Sequence, residues 1–341
     1  MARYSKFITA ASIYAAFAVY LYQPHFKNFD GLQYLLLINV CLAALGCFVL
    51  SRRWVAAFVG SFFAGAIYGF GPFTLGLAKF HPTTGLLAAS IPWLFCPAAF
   101  IAKTKWRWIS WPLAALPFLA VLLFFQICMH YRLFPVSIHA KLHLVDLANL
   151  IVPLVMAQRS TTLVSFYHVP IAALLMGFAM LVTARRLSII VILCLGTVLA
   201  FCNSFFHVSP IIWVSIPVLC CSVLIGVGMQ GLVSAGYADR KWVLLAAAVS
   251  GTLAIVTLLL ATTYVQRDSS PVTGAIWLGL GYARLFTEIA MIYILGTVTV
   301  IIIFFLARAK LRVPVLRWII LCSAMAVDIF FSAGFIVDEV F

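Results

Sequence analysis

Charge is scarce in this sequence and acidic charge scarcer still: 9% of its 341 residues are charged, and only eight of them are Asp or Glu. A soluble domain is about a quarter charged and about half apolar. A chain that is 65% hydrophobic, with a mean hydropathy of +1.16, has too little polar surface to cover itself in water. That excludes a soluble globular fold. Long polar loops are missing as well, which excludes an appended soluble domain. No Walker A phosphate loop occurs, so an ATP-driven machine would need a partner chain. The nine cysteines include no CxxC or CxxCH, and their one close pair is the adjacent Cys220 and Cys221. Neither a disulfide framework nor covalent haem attachment is indicated, and the thiols read as small buried hydrophobes.

What is there instead is apolar sequence almost end to end. A transmembrane helix needs about 20 such residues to cross about 30 Å of hydrocarbon. Runs near 7–21, 32–50, 54–71, 83–101, 110–129, 162–183, 187–206, 210–234, 243–263, 283–307 and 315–337 satisfy that or approach it. They are continuous and do not alternate with period two, which selects helices over a barrel. The expectation is an all-α polytopic membrane bundle of about eleven helices, one domain over 1–341. A cleaved leader would reduce the count to ten, since Ala16-Phe17-Ala18 has A-x-A spacing. The apolar run continues past that site through Tyr20 and Leu21, which favours a retained anchor.

The net charge of +14 is distributed in a way that reports orientation. Arg3 and Lys6, Arg52 and Arg53, Lys103, Lys105 and Arg107, Arg185 and Arg186, Arg240 and Lys241, then Arg308, Lys310, Arg312 and Arg317 recur at every second loop. Basic residues mark the cytoplasmic side. The reading is N-in and C-out in a bacterial cytoplasmic (inner) membrane, with the lipid bilayer and not nucleic acid as the partner. Residues 131–158 break the rhythm, because a crossing there would turn every later basic cluster outward. They are expected to lie along the outer surface or to enter and return.

Ser90-Ile91-Pro92-Trp93-Leu94-Phe95-Cys96 resembles Ser215-Ile216-Pro217-Val218-Leu219-Cys220-Cys221. Four spans separate the two, which suggests a parallel four-helix repeat with units 32–130 and 162–264. Gly226-Val227-Gly228-Met229-Gln230-Gly231 matches GxGxxG, but inside a span, and reads as helix packing. Ser61, Gly65 and Gly69 mark another close-approach face. Trp93, Trp106, Trp108, Trp111, Trp242 and Trp277 are assigned to an interfacial aromatic belt.

All seven histidines (His25, His81, His130, His139, His143, His168 and His207) map to the outer side in this reading. His139, His143 and Asp146 share one helical face and offer ligands for a divalent metal, with His130 as a fourth. The plain alternative is the wet face of an interfacial amphipathic helix. Within the spans, Arg284 and Glu288 lie one turn apart and can neutralise each other. Asp328 has no neighbour in sequence able to pair with it, so another helix, water or a proton must meet its charge.

Three functions compete. A secondary transporter or permease leads, with a polar cavity open to the outside, a small solute or lipid-linked molecule as substrate, and Asp328, Glu288, Arg284 and His168 on the substrate or proton pathway. A membrane enzyme or redox subunit, holding a divalent metal or haem on the outer side, accounts better for the one-sided histidines. A non-catalytic subunit in a larger complex with partner subunits is the third. All three place the specific chemistry in the outer half.

Overall fold

Lipid offers no hydrogen bonds, so the backbone groups of these apolar runs must pair within their own segment, and in the computed structural model they do so as helices. The structure describes residues 2–29, 31–80, 82–131, 171–184, 188–202, 205–206, 208–235, 239–267, 276–308 and 314–340, and no β-strand occurs among them. The helices are α1 (Ala2–Tyr22), α2 (Leu35–Ser51), α3 (Phe58–Gly69), α4 (Pro72–Phe80), α5 (Pro82–Ile101), α6 (Ser110–Ala114) and α7 (Leu116–His130). They continue with α8 (Ile171–Thr183), α9 (Ser188–Phe201), α10 (Pro210–Trp213), α11 (Ser215–Ser234), α12 (Arg240–Arg267), α13 (Ile276–Arg308) and α14 (Pro314–Val340).

Each of the eleven apolar runs overlaps at least one of these helices. Among the described residues seven stretches are long and apolar enough to cross a membrane: Phe58–Leu77, Thr83–Ile101, Arg107–His130, Pro210–Ser234, Arg240–Thr262, Ile289–Leu306 and Val315–Gly334. Leu35–Ser51, Ile171–Thr183 and Ser188–Phe201 are shorter apolar helices. The chain is an integral membrane protein of the helical type.

Some element boundaries differ from the sequence reading for identifiable reasons. The third run was expected to end at residue 71, yet the chain bends at Gly71 and continues as α4. Pro72 has no N–H for the carbonyl of Tyr68 four residues back; the Thr74 hydroxyl donates to that oxygen instead, at 2.6 Å, and both side chains are buried. α12 and α13 have 28 and 33 residues. At 1.5 Å per residue they are about 42 and about 50 Å long, so they outreach the hydrocarbon and pack along one another. Trp93 is not at an interface. It lies midway along α5, where its indole N–H donates to Leu42 of α2 at 3.0 Å.

α11 is the most enclosed helix and packs against α3, α8, α9 and α14. Its GxGxxG glycines make this possible. A Cβ on Gly226 would stand 2.7 Å from the carbonyl oxygen of Gly60 on α3. One on Gly228 would fall on the Ala173 carbonyl of α8, and one on Gly231 would meet Met180 of the same helix. On α3, Gly65 and Gly69 face Ala44 of α2, and Ser61 is buried. α1 joins the same core: Tyr14 stacks on Phe62 and donates to its carbonyl at 2.6 Å, while Phe17 meets Phe70. Because Tyr14 and Phe17 meet α3 in increasing order, α1 and α3 run in the same direction.

Candidate functional site

Every helix that ends near the basic loops leaves carbonyls without intrahelical donors, and a cation is favourable there. Arg53, in the turn after α2, donates from Nε to Ala99 near the end of α5 at 2.9 Å. Arg317, in the first turns of α14, is 7% exposed and donates from Nη1 to Val233 and Ala235 at the end of α11, at 3.0 and 2.9 Å. Gln230 of α11 accepts from the backbone N–H of Ala56 at 2.9 Å, just before α3. These bonds draw the ends of α2, α5 and α11 and the beginnings of α3 and α14 together. Arg53 and Arg317, read from the sequence as markers of orientation, also close helix ends.

Beside this junction lies a cleft of about 700 Å³. Its walls come from the end of α2 and the turn after it (Leu50, Arg53, Trp54), the last part of α5 (Phe95, Ala98), the segment leading into α6 (Arg107, Trp108, Ser110, Trp111), the start of α9 (Ser188, Ile189) and α11 (Leu219, Cys220, Val223). On α11 the lining runs from Leu219 to Val223, about 6 Å of helix. The back is apolar. The mouth carries Arg53 and Arg107, and among the described residues no carboxylate lines the space. Trp108 and Trp111 are 66% and 60% exposed, and Val191 of α9 is 48% exposed, so part of the lining is open to the surroundings. Phe95 and Ala98 of α5 hold the same places in the Ser-Ile-Pro motif as Cys220 and Val223 of α11, and all four line the cleft.

Asp328 occupies a different place. It lies at the midpoint of α14, is 1% exposed, and receives a hydrogen bond from the Ser332 hydroxyl at 3.4 Å. Tyr293 of α13 is near enough to interact with it electrostatically. Met325, Ile329 and Ala333 surround it on its own helix as part of the apolar core. It does not line the cleft.

Few of the other candidate residues fall within the described set. His130 ends α7, exposed, with its ring edge-on to Tyr131 at 4.9 Å. His139, His143, Asp146 and His168 lie outside the described residues, as do His81 and His207. Arg284 and Glu288 lie on α13, but their side chains are outside the description. Among the described residues no group of three or more His, Cys, Asp or Glu is placed to hold a metal. Sequence reasoning missed the cleft, although its signal is visible in retrospect. Arg53-Trp54 and Lys105-Trp106-Arg107-Trp108 alternate cation and indole, which orientation alone does not require.

Comparison with known proteins returns nothing: no family model matches, and no curated protein and no solved structure matches. Fold and site therefore define the class by themselves, an integral membrane helix bundle with a cation-lipped apolar cleft at one end.

Proposed function

We propose that this chain is a secondary transporter or permease of a bacterial cytoplasmic membrane, crossing it eleven times with the basic end in the cytoplasm. The cleft is its cytoplasm-facing substrate vestibule, and Asp328 is the group that takes up and releases the coupling proton. This reverses the expectation of an outward-facing cavity. The observation that carries the reading is the one-ended cleft. It lies beside the basic turn after α2 and the basic segment before α6, its α11 wall ends at Leu219, and the α10 residues that precede that helix, Ile211, Ile212 and Trp213, are buried. Alternating access requires such a half-open cavity, which opens to the other side when part of the bundle rocks. A carboxyl at mid-depth is costly to keep there and marks a proton path in many membrane proteins. Protonation would remove its charge, and with it a bias between two helix arrangements.

The test needs no known substrate. Ala98→Cys places a thiol in the vestibule, to be labelled in proteoliposomes with a membrane-impermeant maleimide and compared with the parent protein. An imposed pH gradient is expected to change the labelling rate several-fold, and Asp328→Asn to remove that dependence while leaving labelling intact. A rate indifferent to the gradient when Asp328 is present would overturn the transporter reading.

A further inference from the structure

We infer that the cleft is a binding site for one anionic phosphate lipid, whose phosphate is held by Arg53 and Arg107 and whose chains follow the apolar wall out into the bilayer. The inference uses the same cleft as the transporter reading and names its occupant; it holds whether or not the lipid is moved.

Charge comes first. Among the described residues two guanidinium groups line the space and no carboxylate does. Guanidinium remains charged under all ordinary conditions, and its planar fork matches two phosphate oxygens at once. Arg53 uses Nε on the Ala99 carbonyl, which both fixes its side chain in the wall and offsets the negative end of α5. Arg107 is exposed, and its side chain makes no hydrogen bond or ion pair with any described residue. The Ser188 hydroxyl adds a further polar group to the lining.

Shape excludes a small hydrophilic anion. Phe95, Ala98, Leu219, Cys220 and Val223 form a wall that such an ion would leave in contact with water. An occupant with a hydrocarbon part removes that surface from water. The volume of about 700 Å³ is that of a site for a drug-sized molecule. It accommodates a head group and the upper part of a chain, with the remainder outside. The exposed lining residues Trp108, Trp111 and Val191 leave the apolar wall open to the surroundings, so a lipid can place its head group in the cleft while its chains stay in the bilayer. Trp108 and Trp111 at the mouth belong at head-group depth, which is where the phosphate of a bilayer lipid lies and where basic side chains meet anionic lipids.

The experiment measures lipid retained by the purified protein in detergent, by native mass spectrometry after equilibration with phosphatidylglycerol or phosphatidylcholine. The expected result is one retained phosphatidylglycerol and little phosphatidylcholine. Arg107→Gln should lower retention about five- to tenfold, and Val223→Trp, which fills the apolar wall, should lower it comparably. Lys103→Gln and Lys105→Gln, close in sequence but outside the lining, should leave it unchanged. Because Arg53 also closes α5, Arg107 carries the charge test. Equal retention of the two lipids, or equal loss from the Lys and Arg variants, would overturn the inference. So would displacement of the lipid by millimolar inorganic phosphate or glycerol 3-phosphate with the same dependence on Arg107, since the site would then be one for a soluble anion. No gradient enters this measurement, so its failure is separable from failure of the labelling test.

Discussion

Proline decides where polar groups are needed inside this bundle. Pro72 and Pro92 each remove an N–H, freeing the carbonyls of Tyr68 and Ala88 four residues earlier. Thr74 donates to the first and the Tyr68 hydroxyl to the second, at 2.6 and 2.7 Å, and all three residues that take part are buried. One tyrosine thus receives help at its backbone and gives it through its side chain. Tyr68→Phe and Thr74→Val should each cost about 1–3 kcal/mol, because a carbonyl is left dry without a donor. Thermal unfolding in detergent should show both variants melting below wild type, with Tyr131→Phe, at an exposed position, unchanged. Equal melting of all three would mean that water reaches the freed carbonyls. The prolines were visible in the sequence and so was the prospect of freed carbonyls. Their donors come from a neighbouring turn and a neighbouring helix, and spacing does not show which. The same holds for Asp328: its apolar flanks were visible in the sequence and its donor Ser332 stands four residues on along the same helix, a pairing the sequence reading did not make, whereas Tyr293 as its neighbour depends on how α13 lies beside α14.

Between helices, glycine fixes separation. Gly226 faces the Gly60 carbonyl and Gly228 the Ala173 carbonyl, both of them backbone that has little room to yield. An added methyl there should cost about 1–3 kcal/mol in overpacking, more than the gain of up to about 1 kcal/mol from replacing glycine by alanine in a helix. Gly296 and Gly334 have no atom of the described residues within 4 Å of the added carbon. Gly226→Ala and Gly228→Ala should therefore lower the thermal midpoint, and Gly296→Ala and Gly334→Ala should hold or raise it. If all four behave alike, close backbone approach is not what holds α11 in place. GxGxxG inside an apolar span already argued for packing over nucleotide binding. That its glycines serve two partners, α3 and α8, follows only from the positions of those helices. Helix ends were less well read than helix centres: α12 and α13 extend past their apolar runs because they support each other beyond the hydrocarbon.

For the whole molecule, the hydrogen bonds that Arg53 and Arg317 donate and that Gln230 accepts show that several basic segments meet at one end of the bundle. Single cysteines replacing Lys105 and Tyr131, at opposite ends of the Arg107–His130 stretch, should react with an impermeant maleimide from opposite faces of oriented vesicles, Lys105→Cys from the cytoplasmic face. Reaction of both from the same face would contradict that crossing. Composition by itself determined that the chain lives in a membrane and that it is helical. These follow from the cost of exposing apolar surface to water and unpaired backbone to lipid, and both costs can be read from local sequence. The tertiary structure alone decided where a ligand fits. Arg53 and Arg107 belong to different loops, and Phe95 and Val223 to helices more than a hundred residues apart. A cleft is the space such segments leave between them, which no single stretch of the chain contains. That is why the histidines attracted attention in the sequence, while the cleft lies among residues first read as orientation marks.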